Sequence, residues 1–339
     1  MSKIKLIKIV LISLIFILFV SGCSRVKKEA ISGQFFQLEE TIHPEIIEST
    51  ILRRLDGRGV RDGDEIFLPI ALVIDNLPGK VFSTGLDSAS IIYEIPVEGG
   101  LTRLLAIFDY QELPPKIGPI RSARPAFAEI AEEYKAAFVH AGGSPEVLQK
   151  IKSGFYQIYN LDEISWQGFY FKRDYNLERP HNLFIGRESI KKFIEDRKIS
   201  PKADFDPWLF DQESVLIGRS SEIIQIDFSS QYSTIWRYNQ ENEFYQVWQN
   251  NKLLEAIGGI NNLIIQYTDI NIIDQEGRRK IRLTGQGKGL ICQKGICQQG
   301  IWKKEFGRTR FYNQDGEEIK LLPGKIWISI VSDKMAVRY

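Results

Sequence analysis

The sequence predicts an α+β protein, an N-terminal α/β sandwich domain followed by a smaller, mainly antiparallel β domain. Three observations predict it. From Pro69 onward, strand-length apolar runs alternate with helix-spaced segments, which implies a layered α/β arrangement with some parallel pairing. Beyond residue 209, strand-like pieces separated by turn residues dominate. The length of 339 residues, less a leader of 22, is long for one core and favours two domains.

The chain opens with Lys3, Lys5 and Lys8, runs apolar from Ile9 to Val20 and continues Ser21-Gly22-Cys23. A basic stretch before an apolar run of 12 residues suits a secretory signal, since a spanning helix needs about 20. Small residues at 21 and 22 permit cleavage before Cys23, whose thiol is then the expected acceptor for acyl chains such as palmitate. The alternative is an uncleaved membrane anchor with an incidental cysteine. Under either, the remaining chain is held at the cell membrane and faces outside the cytoplasm. Residues 1–22 are assigned to the signal peptide and 23–64 to the lipidated N-terminus and tether, which ends in the charged, turn-rich stretch Arg53 to Asp64.

Residues 65–200 are assigned to the α/β domain. Ile70-Ala-Leu-Val-Ile74 is a continuous apolar run closed by the turn cluster Asp75 to Gly79, the pattern of a strand buried on both faces. Ile91 to Ile95 and Leu101 to Phe108 flank Glu98-Gly99-Gly100 as paired strands. Pro125 suits a first helical position, and Phe127, Ile130, Ala131 and Tyr134 share one face, so a helix spans about 124–134. Ala136 to His140 is a short strand, and Ser144-Pro145 reads as the cap and first position of a helix reaching Lys152. A further helix covers 188–197, and 201–208 form a linker.

The β domain, 209–339, contains strand-like segments at 223–228, 233–238, 244–248, 262–267 and 325–330. Lys294-Gly295 reads as a two-residue hairpin turn, which sets Cys292 opposite Cys297. Outside the cytoplasm two opposed cysteines form either a disulfide or a pair of free thiols, and the spacing leaves both open. They have no second pair and no nearby histidine, so no metal site is expected, and no cofactor.

Without the leader, which holds three lysines and no acids, 44 basic residues become 41 against 43 acidic, a net charge of about −2. That balance excludes a nucleic-acid binder of the usual basic kind.

Ligands of α/β layers bind beyond the carboxyl ends of parallel strands, where helix N-termini offer free N–H groups. Two loops meet that description. Gly118 to Arg124 carries Arg121, Ser122 and Arg124 beside a helix start, and His140-Ala-Gly142-Gly143-Ser144 joins a strand end to the next helix. If strands 101–108 and 136–140 are parallel, both loops share an edge and converge on an anion, a carboxylate or phosphate. The competing reading is that Arg121 and Arg124 pair structurally with Glu94, Glu98 or Asp109 and that the glycines only make a turn. His140 and His181 are as readily structural as functional. Ser122 and Ser144 sit in no nucleophile elbow, while Glu94 and Glu98 are candidate acid and base.

Several motifs in order, Pro69 to Asn76, Val97-Glu-Gly-Gly-Leu-Thr-Arg103, Ile117 to Pro125, Val139 to Pro145 and Pro180-His-Asn-Leu183, resemble the YerB-like lipoprotein family. Gly285 to Gly289, Gly300-Ile-Trp302, Asp315-Gly316 and Leu322 to Trp327 extend the resemblance over nearly the whole mature chain. It implies a lipobox and two domains, in a family of unknown function. The pattern departs at Asn250 to Gly259, where a His and an Asp are expected and Lys252-Leu-Leu-Glu-Ala256 stands instead. A looser likeness, carried only by Arg121-Ser-Ala-Arg124 after a strand, is to LytR-type envelope phosphotransferases. Two functions follow as expectations. One is a non-enzymatic lipoprotein binding an anionic cell-wall component or envelope protein. The other is an enzyme on cell-wall glycan or its lipid-linked precursor, with Glu94, Glu98 or His140 as acid or base.

Overall fold

A computed structural model describes residues 51–339 except 61–67, 78–82, 203, 250–251 and 305–306. The signal segment, Cys23 and most of the tether lie outside the described residues. The largest sheet has eleven strands: β1 (Pro69–Asp75), β2 (Ile91–Pro96), β3 (Thr102–Asp109), β4 (Ala137–His140), β5 (Tyr159–Asp162), β6 (Arg219–Ser220), β11 (Asn262–Tyr267), β12 (Gly285–Gln293), β13 (Ile296–Lys304), β14 (Thr309–Tyr312) and β15 (Ile326–Val331). A second sheet has five, β7 (Ile223–Ser229), β8 (Tyr232–Asn239), β9 (Phe244–Gln249), β10 (Lys252–Leu253) and β16 (Ala336–Arg338).

The large sheet runs β6-β13-β12-β11-β15-β2-β3-β1-β4-β5, with β14 beside β13. Its middle is mixed. β1 pairs antiparallel with β3 and parallel with β4, and β4 pairs parallel with β5. The conditional expectation that strands 101–108 and 136–140 run parallel is therefore corrected: β1 lies between them, and β3 runs opposite to β4. The C-terminal strands also extend the N-terminal sheet, since β15 pairs parallel with both β11 and β2. Local patterning cannot reveal this, because β2 and β15 are both buried on every residue and offer no free edge signature.

Burial on both faces explains those unbroken apolar runs. Ile70, Leu72 and Ile74 face one core with Trp236, Tyr245 and Val247 of the second sheet. Ala71 and Val73 face the other, with Phe127 and Ala131 of helix α1 (Pro125–Glu133) and Tyr134 just beyond its end. Helix α2 (Pro145–Lys152) adds Val147 to this layer, while α3 (Arg187–Asp196) buries Ile190, Phe193 and Ile194 on the side of the second sheet. The second sheet alternates, as in the burial of Ile224, Ile226 and Phe228 on β7, because only one of its faces is covered.

Around the Lys294-Gly295 turn, Gln293 pairs with Ile296 and Cys292 with Cys297, and the two cysteines are joined as a disulfide.

Candidate functional site

β1, β4 and β5 point the same way, so Asp75, His140 and Asp162 end on one edge of the sheet. The segment after β3 crosses that edge. Asp75 N donates to Pro119 O (2.9 Å) and Arg121 N to Val73 O (2.8 Å), which lays residues 119–121 alongside the end of β1. Ala123 N then donates to Gly142 O (2.9 Å) and Ser144 N to Ala123 O (3.2 Å), stitching the two predicted loops together. Ile120 N donates to Leu183 O (2.7 Å), which brings in the segment that carries His181. The loops thus converge through a cross-strand of irregular backbone, without parallel pairing of β3 and β4.

Glycine makes this contact possible. Gly142 has φ +61°, and a Cβ on Gly143 would lie 2.8 Å from Val147 Cγ1 and 3.2 Å from Ala123 O. Asp162 holds the loop from below, its Oδ1 accepting from Gly142 N (2.7 Å).

Three guanidinium groups occupy the edge. Arg121 is half-buried, with Nε 3.7 Å from Asp75 Oδ2 and NH1 donating to Pro180 O (3.1 Å), while its Nε makes no hydrogen bond. Arg103, at the start of β3, donates to Ser122 O (2.9 Å). Burial first, then repulsion from Arg124 and Arg121, pulls its pKa down to about 10. Arg124 grips Glu98 through both carboxylate oxygens (2.6 and 3.0 Å) and donates to Ala123 O (2.7 Å). Burial raises Glu98, but the Arg124 hydrogen bonds and charge outweigh it and hold the carboxyl below its usual range.

His181 Nδ1 is hydrogen-bonded to Asp75 Oδ2 at this edge. Such a bond fixes the orientation of the imidazole ring.

The remaining expected residues are taken up in the interior or lie away from these arginines. His140 has no exposed surface; Nδ1 meets Gly142 O (2.8 Å), Nε2 meets the Asn160 amide (2.7 Å), and the ring lies on Phe138. Both nitrogens are thereby occupied in holding the loop. Glu94 is fully buried between the two sheets. Its Oε1 accepts from Tyr232 (2.7 Å), Thr234 (2.9 Å), Thr102 (3.0 Å) and Asn76 (3.2 Å). Burial is the first cause raising its pKa. Glu94 and Glu98 therefore do not form an acid–base pair: one is interior and the other is on the rim with Arg124. Asp109 lies at the far end of β3, near Arg53 (3.9 Å).

Sequence reasoning missed Asp75 and Arg103. Each carried a signal: a charged residue directly bounding a buried apolar run, at Ile74-Asp75 and at Arg103-Leu104.

Residues 59–200 match the family model described as protein of unknown function (DUF3048) N-terminal domain, and residues 224–328 match the corresponding C-terminal domain. The chain is 33% identical over 273 residues to YerB of Bacillus subtilis (strain 168), a candidate lipoprotein by its name, covering 78% of this chain and 81% of that one. A crystal structure of YerB protein from Bacillus subtilis superposes with a TM-score of 0.76 at 29% identity, covering 85% of this chain and all of the other.

Proposed function

The chain belongs to the DUF3048 family, and on that footing we propose that it is a membrane-anchored extracytoplasmic lipoprotein that binds an anionic cell-envelope component through the arginine-lined edge of its large sheet. The leader from Lys3 to Cys23 and the lipoprotein name of the YerB relative support the anchor. The crowding of Arg103, Arg121 and Arg124 carries the binding reading. Asp75 and Glu98 are the carboxylates that offset these three cations, and Arg103 still has its proton affinity depressed, first by burial and then by Arg124 and Arg121. An incoming oxyanion relieves that repulsion and satisfies the unused Arg121 Nε.

The test is binding of the full chain, purified in detergent, to soluble poly(glycerol phosphate). The proposal expects saturable, salt-sensitive binding that falls at least about tenfold in Arg121→Ala, whose lost contacts are charge-assisted. Unchanged affinity in Arg121→Ala and in Arg103→Ala overturns it.

One observation favours a second reading, an enzyme on cell-wall glycan or its lipid-linked precursor. Asp75 orients His181 beside Arg121, an arrangement suited to proton transfer next to a charge stabiliser. Incubation with purified lipid-linked precursor, with products read by mass spectrometry, separates the readings. A product lost in His181→Gln supports the enzyme, and an unaltered precursor under saturating binding removes it.

A further inference from the structure

Arg124 and Ser144 also line a separate recess of about 250 Å³, closed on its other side by Arg278, Arg279 and Asp274. Helices α1 and α2 both begin here, at Pro125 and Pro145. Neither proline has an N–H, and the first-turn N–H groups of Ala126, Glu146 and Val147 have no acceptor within their helices. The positive ends of two helix dipoles therefore meet at one small cavity.

Ser144 is the independent observation. It is 6% exposed and stands at the cap position of α2, yet its hydroxyl makes no capping bond and has no hydrogen-bond partner. A buried hydroxyl without a partner is costly, and a ligand oxygen in the recess would satisfy it. The acids at the rim are already engaged. Asp274 holds Arg278 (3.1 Å), Glu146 holds Lys150 (2.8 Å) and Glu98 holds Arg124. Arg279 donates Nε to Val97 O (2.8 Å), and among the described residues it pairs with no carboxylate.

We propose that this recess is a phosphate pocket, taking one terminal phosphate between Ser144 Oγ, the two helix starts and Arg279. A hydroxyl, two helix starts and a guanidinium offer more donors than a planar carboxylate can use, which fits a tetrahedral oxyanion better. The proposal deepens the reading above and rests on it for the source of the phosphate, either an esterified glycerol phosphate of the envelope or the free ion.

The experiment titrates the full chain in detergent with inorganic phosphate, with sn-glycerol 3-phosphate and with acetate. Both phosphates bind, acetate binds far more weakly, and Ser144→Ala and Arg279→Gln each weaken phosphate about tenfold. Tighter binding of the ester supports the pocket with an envelope phosphate as occupant, and tighter binding of inorganic phosphate supports it with the free ion. Phosphate affinity unmoved by both substitutions, or acetate binding as tightly, overturns the pocket. Should Ser144→Ala lose its fold, the half-buried Arg279→Gln decides alone. Poly(glycerol phosphate) binding that persists while phosphate ignores both substitutions defeats the pocket and leaves the broader reading. Phosphate binding that both substitutions abolish, in a protein that ignores the polymer, defeats the broader reading and leaves the pocket.

Discussion

At the scale of single residues, buried carboxylates do opposite work according to their partners. Glu94 is surrounded by neutral donors, so desolvation wins and its pKa rises; Asp56 is also buried, but the hydrogen bonds and charge of Arg53 outweigh desolvation and lower it. A raised carboxylate contributes stability that is present below its unfolded pKa and lost as pH rises through the folded value. A lowered one contributes stability present above the unfolded pKa and lost as pH falls. Glu94→Gln is therefore expected to gain melting temperature relative to the wild type as pH rises from about 4 to about 8, while Asp56→Asn gains it as pH falls from about 4 to about 2, where the wild type loses its ion pair. Thermal unfolding at those three pH values checks both signs. His140 makes a different prediction. Because its ring ties Gly142 to Asn160 with no exposed surface, His140→Ala should cost roughly 2–4 kcal/mol in a denaturant titration, from lost bonds and a cavity.

At the scale of elements, the sequence was legible wherever a period or a punctuating residue survived. Pro125 and Pro145 opened their helices, and the Lys294-Gly295 turn set the register of the longest hairpin. The disulfide joins cysteines only five positions apart in sequence, so its removal by Cys292→Ser with Cys297→Ser should cost about 2 kcal/mol, near the low end for such bonds. Free-thiol counting on the unreduced, denatured chain should find neither cysteine reactive. The site was legible in part. Arg121 and Arg124 announced themselves through the helix start at Pro125, whereas Asp75 and Arg103 were hidden inside strand patterns read for their apolar residues. Gly143→Ala tests the stitch between the loops: its Cβ would crowd Val147 and Ala123, so melting temperature should fall, and an unchanged value would contradict the close packing.

At the scale of the whole molecule, what local sequence could not disclose is the long-range pairing. β15 lies over 220 residues downstream of its partner β2, by the numbers of Ile326 and Ile91, and both are uniformly buried. No period distinguishes a strand that completes its own domain from one that extends another. The consequence is a shared sheet at whose carboxyl edge residues far apart in the chain meet, with Asp75 ending β1 and Arg279 bonded to Val97 just beyond β2. The anchor belongs to this scale too. Cys23→Ala is expected to leave the protein unacylated and released from the membrane fraction, as read by fractionation and intact mass.

The central claim is that this edge receives the anion. Hydrogen–deuterium exchange of the full chain, with and without poly(glycerol phosphate), measures it most directly. Protection confined to peptides covering 117–124, 140–148 and 179–183 is the predicted result. No protection there, or protection centred instead on the recess around Arg54, Glu132 and Arg308, would contradict the account.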